Sequence, residues 1–273
     1  MAKFNNNLMY SIIVPCYNSE IFIEDLINKV DKVFMKNYEL ILVDDKSTDN
    51  TLKKIIKLKN ENLHLRIISL NENIGQLGAT LIGLKVAVGK YSLTIDDDLQ
   101  HNISEYTILK STLESKNSEI VIATWKTDET LIRNVSSYFF NFISSIAILK
   151  KSNFRNTAFR LVKSIHNDQI FYFFINKFWF DPRRIFKDFE ISQVRVNHFI
   201  QYKRPQSSFK SRVKLASKHI FLDTNLLSLA FLLLSYFKLY FLYLLLFNLI
   251  IQNLTRSFFK NKRIKVFLNL KEF

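Results

Sequence analysis

The stretch Tyr91-Ser92-Leu93-Thr94-Ile95-Asp96-Asp97-Asp98-Leu99-Gln100-His101 decides how the chain is read. A run of strand length, bounded and mostly apolar, gives way at once to three consecutive carboxylates. Neighbouring like charges repel, a cost that folding alone does not favour and that a bound divalent cation removes. Oxygen-only donors suit the hard cations Mg²⁺ or Mn²⁺, which also bind phosphates. Along an extended segment successive side chains point to opposite sides. Asp96 and Asp98 are therefore expected to face a ligand and its metal, with Asp97 turned the other way. The plain alternative is an acidic turn in solvent, which a position directly after a buried strand disfavours.

The segments before this stretch repeat the same alternation. Ser11 to Val14 is a short apolar run stopped by Pro15, and Ile23 to Phe34 has helical spacing. Glu39 to Val43 reads as a buried strand ending in Asp44-Asp45, and Asn50 to Leu58 reads as helix. Leu65 to Leu70 is a strand, and Gln76 to Val88 a helix. Strands separated by helices of this length make βαβ units and a parallel sheet, in which ligands bind at the carboxyl ends of the strands. Those ends carry Pro15-Cys16-Tyr17-Asn18, Asp44-Asp45 and Asp96-Asp97-Asp98, so three polar clusters define a candidate site. Glu119 to Ala123 is a further strand. Tyr138 to Leu149 and Ile170 to Phe180 are aromatic, basic segments suited either to a core or to a membrane interface.

Composition narrows the classes. Hydrophobic residues make up 48% of the 273 positions and 26 are Phe, enough to bury a substantial core and to exclude intrinsic disorder. The formal charge of +15 calls for an anionic partner or surface. Carboxylates concentrate before about residue 130 and the second half is basic. This asymmetry suits a catalytic head followed by a membrane-proximal region, and no zinc-finger, RNP or basic-zipper pattern points to nucleic acid. Cys16 is the only cysteine, so no intramolecular disulfide exists. The polar, Asn-rich start of the chain reads as no secretory signal.

Leu226 to Ile251 is the most apolar stretch, long enough to span hydrocarbon but with Lys238 near its middle. A tilted crossing, a hairpin and an in-plane helix all remain open. The basic tail (Arg256, Lys260, Lys262, Arg263, Lys265) belongs on the anionic, cytoplasmic side. The expected division is a head over residues 1–216 and a hydrophobic, membrane-associating helical region with a basic tail over 217–273. Large aromatic surfaces beside such a region make a homo-oligomer plausible.

The motifs resemble, in family order, those of the inverting family 2 glycosyltransferases of GT-A fold. The branch most similar includes dolichol-phosphate mannose synthase and bacterial polyprenyl-phosphate glycosyltransferases. Ser11 through Asn18 with Glu20 looks like the opening strand and nucleotide loop, including Pro15 and Tyr17. Val43 through Asp49 looks like the base- and ribose-contacting motif, and Asn73-Ile74-Gly75-Gln76 like the third. Thr94 through His101 is close to that branch's acidic signature. Thr157 through Leu161 resembles its Phe-Arg-Leu segment near the acceptor phosphate, and His198 through Phe209 its basic loop over the donor diphosphate. Pro205 stands where that loop usually has Gly before its Ser207, and Asn102-Ile103 replaces the usual proline pair.

The resemblance implies an α/β, Rossmann-like, mostly parallel sheet flanked by helices. It also implies transfer from a UDP- or GDP-sugar to a membrane polyprenyl phosphate. A glycan or lipid-linked oligosaccharide acceptor, and a non-catalytic scaffold with a degenerate head, are the other readings. Asp44 and Asp45 would accept hydrogen bonds from base or ribose. Asp96, Asp98 and Gln100 would hold Mg²⁺ or Mn²⁺, with Asp97 beside the donor. Lys203, Arg204 and Ser207 would bind the donor phosphates and Arg160 the acceptor phosphate, making Asp98 and Arg160 the catalytic pair. His101 reads as structural.

Overall fold

The computed structural model describes residues 8–60, 64–125, 157–174, 189–197, 246–255, 257–258 and 271–272. In chain order these form β1 (Tyr10–Cys16), α1 (Ile23–Phe34), β2 (Tyr38–Asp44), α2 (Thr51–Lys59), β3 (Leu65–Ser69), α3 (Gly75–Val86) and β4 (Tyr91–Thr94). There follow α4 (Tyr106–Ser115), β5 (Ile120–Thr124), β6 (Arg160–Lys163), α5 (Asn167–Phe174), β7 (Ile191–Arg195) and the two-residue β8 (Lys271–Glu272). One mixed sheet runs β7-β5-β6-β4-β1-β2-β3-β8. The block β4-β1-β2-β3 is parallel, β6 is antiparallel to both β4 and β5, and β5 pairs in parallel with β7. This is the helix-flanked, mostly parallel α/β sheet expected from the strand–helix alternation.

Both faces of the sheet are covered, which is why its central strands read as continuous apolar runs. One face packs Ile12, Val14, Leu40, Leu42 and Leu161 against α1, α2 and α4. In α1 the buried positions Ile23, Leu26, Ile27, Val30 and Phe34 follow helical spacing. The opposite face packs Ile13, Ile41, Val43, Ile122 and Val162 against α3 and α5. Helix α3 is buried from Gly78 through Leu84, held between the sheet and α5. Gly83 permits that approach: a Cβ there would lie 2.3 Å from Cγ2 of Ile13.

β1 does not stop at Pro15. It continues to Cys16, with Pro15 opposite Val43 of β2. The carbonyl of Ile13 accepts from Ile95 N at 3.1 Å, on the β4 side. Residues two apart in a strand point their backbone groups the same way, so the missing N–H of Pro15 also faces β4. Pairing of β1 with β4 has already ended at Ile13 and Thr94. Pairing with β4 thus ends where Pro15 has no N–H to donate, while the β2 side of the strand runs on unbroken. Ile170 and Phe171 are core residues, while the rest of that aromatic segment beyond residue 174 lies outside the described residues. So do Tyr138 to Leu149, the expected division at residue 216, and most of Leu226 to Ile251, of which residues 246–251 are helical. Among the described residues no helix is long and apolar enough to cross a membrane.

At the amino-terminal edge a buried carboxylate ties four segments together. Glu39 accepts from Ser11 Oγ at 2.5 Å, from Val88 N at 2.8 Å and from Arg66 Nη1 at 2.6 Å. Arg66 also donates to Val86 O at 3.1 Å, and Gly89 N to Ser11 Oγ at 2.8 Å. Removing one partner of a buried pair strands the other. Glu39→Ala is therefore expected to lower unfolding free energy by on the order of 3 kcal/mol in urea titration. A loss well under 1 kcal/mol would show that the network is not held in solution.

Candidate active site

The carboxyl ends of β1, β2 and β4, with the start of α3, enclose a cavity of about 390 Å³. Its walls are Pro15, Cys16, Tyr17, Asp45, Asn73, Gly75, Gln76, Asp96, Asp97 and Asp98. The three polar clusters at successive strand ends thus converge on one space. Each surrounding loop turns through a left-handed residue: Asn18 after β1, Lys46 after β2, Gly75 after β3 and Leu99 after β4. Only Gly75 adopts that conformation without penalty.

The carboxylates divide by what they bind. Asp97 is buried and turned toward the β1 loop, where it accepts from Ser19 Oγ and from Tyr17 N. Asp45 is also buried. Its Oδ1 accepts from Ile74 N at 2.7 Å and its Oδ2 from Gly75 N at 2.8 Å. These are unsatisfied N–H groups at the start of α3, and a carboxylate there also complements the helix dipole. Asp45 also lines the cavity. Asp44 lies beneath the loop, 1% exposed, and accepts from Ser47 N. Burial pushes its carboxyl above the usual range, and the Ser47 hydrogen bonds partly offset that.

Asp96 and Asp98 are half-buried and share the cavity wall. Asp96 receives Gln76 Nε2 on Oδ1 and faces His101 Nε2 at 3.4 Å on Oδ2. Asp98 is raised by burial first and by the charge of Asp96 second. A dication held by these two carboxylates would offset both effects. The set fits Mg²⁺ or Mn²⁺, since such ions are commonly held by one or two protein carboxylates while substrate phosphates and water complete the shell. Among the described residues no group of three His, Cys, Asp or Glu side chains is placed to hold an ion unaided.

Arg160 opens β6 in register with Thr94. It is buried, with its guanidinium pushed down to about 10 by desolvation against the opposing pull of Asp96. It is thus no surface ion-pair partner. Glu20, Asp44 and Gln100 do not form the cavity wall. Glu20 accepts from Asn50 in the next loop, and Gln100 donates its backbone N–H to Asp98 at 3.3 Å. Lys203, Arg204 and Ser207 lie outside the described residues. Ser19 was passed over in the sequence, and Asn73 was quoted in the third motif without a role. Ser19 is buried against Asp97, and Asn73 Nδ2 donates to Asp45 O at 3.0 Å. The available signal was polar character, Ser19 between the quoted Asn18 and Glu20 and Asn73 at the head of the third motif.

The profile described as Glycosyl transferase family 2 matches residues 11–181, which include every strand end around this cavity. The chain belongs to glycosyl transferase family 2. Dodecaprenyl-phosphate galacturonate synthase of Rhizobium johnstonii is 33% identical over 143 residues, covering 50% of this chain and 42% of that relative. Undecaprenyl-phosphate 4-deoxy-4-formamido-L-arabinose transferase of Proteus mirabilis is 37% identical over 118 residues, covering 42% of this chain and 36% of that one. The chain therefore spans less than half the length of these curated relatives. The crystal structure of glucosyl-3-phosphoglycerate synthase from Mycobacterium tuberculosis superposes with a TM-score of 0.53 at 15% identity, covering 78% of each chain. That likeness establishes a GT-A-like fold.

The family 2 acidic cluster makes a pH-dependent prediction. Because the Asp98 carboxyl is raised in the folded state, its contribution to stability is present at low pH and is lost as pH rises through the folded value. Ionised Asp98 is then a cost at neutral pH in the metal-free protein. Asp98→Asn should raise the metal-free thermal midpoint at pH 7, with the gain disappearing below about pH 4. A lower midpoint for the variant at pH 7 would contradict the assignment.

Proposed function

We propose that this chain transfers a sugar from a UDP- or GDP-sugar to a polyprenyl phosphate, with inversion at the anomeric carbon. The observation that carries the reading is the pair Asp96 and Asp98 at the end of β4, facing a cavity of ligand size. Support for the acceptor comes from the names of the relatives, which are a dodecaprenyl-phosphate and an undecaprenyl-phosphate transferase.

In this reading Pro15, Tyr17, Gly75 and Gln76 wall the donor site, and the Asp45 carboxylate, an acceptor on the same wall, receives hydrogen bonds from ribose or base. Asp96 and Asp98 hold Mg²⁺ or Mn²⁺, which when bound supplies positive charge to the departing nucleoside diphosphate. The segment with Lys203, Arg204 and Ser207 belongs over the same phosphates, adding charge-assisted hydrogen bonds. Arg160, protonated at neutral pH despite its burial, supplies charge on the acceptor side. A phosphate oxygen of the acceptor attacks the anomeric carbon as the bond to the diphosphate oxygen breaks. A phosphate monoester has its second ionisation near pH 6, so its nucleophilic oxygen is already charged and no general base is required. Residues 217–273 hold the head at the cytoplasmic face of a membrane in this reading.

The test uses membranes containing the full chain, radiolabelled UDP- and GDP-sugars, Mg²⁺ or Mn²⁺, and undecaprenyl phosphate. Metal-dependent label in the organic phase is expected for one donor. Asp98→Asn should reduce it by about 10²-fold or more, in line with losses of transition-state charge stabilisation, and Arg160→Ala should reduce it strongly. Label absent from lipid for every donor, while UDP or GDP still binds, would overturn the polyprenyl-phosphate acceptor in favour of a glycan hydroxyl.

A further inference from the structure

The carboxylate of Asp96 is approached from two sides by side chains from different parts of the fold. Gln76, in the first turn of α3, donates to Oδ1. His101, five residues along the chain, brings Nε2 to 3.4 Å from Oδ2. An ionised carboxylate only accepts, so Nε2 must carry the hydrogen facing it. The distance is long for a hydrogen bond, as contacts of this kind often are before a ligand arrives.

The imidazole has little freedom to do anything else. It is 8% exposed and stacks on Phe159, with ring centroids 5.3 Å apart and planes 27° apart. Trp125 also meets it, tilted by 58° with centroids 5.3 Å apart. Phe159 is fully buried and directly precedes Arg160, whose strand runs antiparallel to β4. The platform under the imidazole and the cation near Asp96 therefore come from adjacent residues. The backbone also bends to deliver the ring. Leu99, buried at 3% exposure, takes φ 59°, a conformation disfavoured for a branched apolar side chain. Asp98 Oδ1 accepts from Gln100 N across the same turn. Strain of this sort persists where the surrounding structure fixes it, commonly at functional sites.

We propose that His101 is a positioning residue, its Nε2–H holding the Asp96 carboxylate in the orientation that metal and donor require. The inference rests on the reading of Asp96 and Asp98 as the metal-holding pair. It assigns the ring a role beyond packing, and the two roles rank substitutions in opposite order. Phe keeps the stacking on Phe159 and the tilted contact with Trp125 but has no donor. Gln loses the ring but can place an amide N–H where Nε2 stands.

The experiment measures Mn²⁺ affinity by paramagnetic resonance and UDP affinity by calorimetry in the full chain and in two variants. His101→Phe is expected to bind Mn²⁺ about 10-fold more weakly, the loss typical of removing the partner that orients a metal ligand. His101→Gln is expected to recover most of that affinity even if its thermal midpoint falls. His101→Phe binding as tightly as the unaltered chain, or His101→Gln binding no better than His101→Phe, would overturn the positioning role and leave the metal site standing. Failure of the unaltered chain to take up Mn²⁺ with or without UDP would overturn both.

Discussion

Along the carboxyl edge of the sheet the carboxylates serve as ties between loops before they can serve as ligands. A parallel block has no hairpins to connect neighbouring strand ends, so something else must fix the β1, β2, β3 and β4 loops to one another. Asp97 reaches from β4 to Ser19 and Tyr17 after β1. Asp45 reaches from β2 to the α3 N-terminus after β3. The β1 and β2 loops exchange further bonds, from Asn18 N to Ser47 Oγ and from Thr48 N to Asn18 Oδ1. The Asp97 and Asp45 ties satisfy backbone or hydroxyl donors that are buried or part-buried, where an orphan costs about 1–3 kcal/mol, while the Asn18 bonds lie at the surface. The cavity is the space these ties leave.

That division isolates Asp96 and Asp98. Asp98 accepts one long backbone bond and carries the penalties of burial and of a neighbouring negative charge. Asp96 has the donors, from Gln76 and His101, and lies in the field of Arg160. The triplet is thus unequal in a way that its composition does not show. One carboxylate is spent on structure, one is oriented, and one is left with excess affinity for a positive charge. An arginine suits the position behind them because burial lowers its proton affinity without bringing it near neutrality, whereas a lysine so placed could lose its charge.

How much of this the sequence carries follows from the physics of each element. The central strands were legible because burial on both faces makes them unbroken apolar runs. The alternation rule set Asp97 on the side away from Asp96 and Asp98, whereas all three line the cavity and Asp97 differs by its bonds to the β1 loop. β6 and β7 were not picked out. Arg160-Leu161-Val162-Lys163 is four residues long and charged at both ends, and Ile191-Ser192-Gln193-Val194-Arg195 is a part-exposed edge strand without clean alternation. Pro15 was read as a stop because its neighbour on the β4 side is invisible in one dimension. The ties of Asp44 and Asp45 were equally hidden. Adjacent carboxylates at a strand end look alike in sequence, yet one turns inward to its own loop and the other caps a helix 30 residues away.

The two edges of the sheet handle buried charge by opposite rules. At the amino edge Glu39 meets Arg66, Ser11 and the Val88 N–H, so its two oxygens are matched by three donors from the protein itself. At the carboxyl edge the positive partner of Asp96, Arg160, is sunk in the sheet, and Asp98 faces the cavity beside another carboxylate. Burial and the neighbouring Asp96 both raise the Asp98 carboxyl, so a positive charge arriving beside it would relieve a cost that the Glu39 network has already met from within the protein.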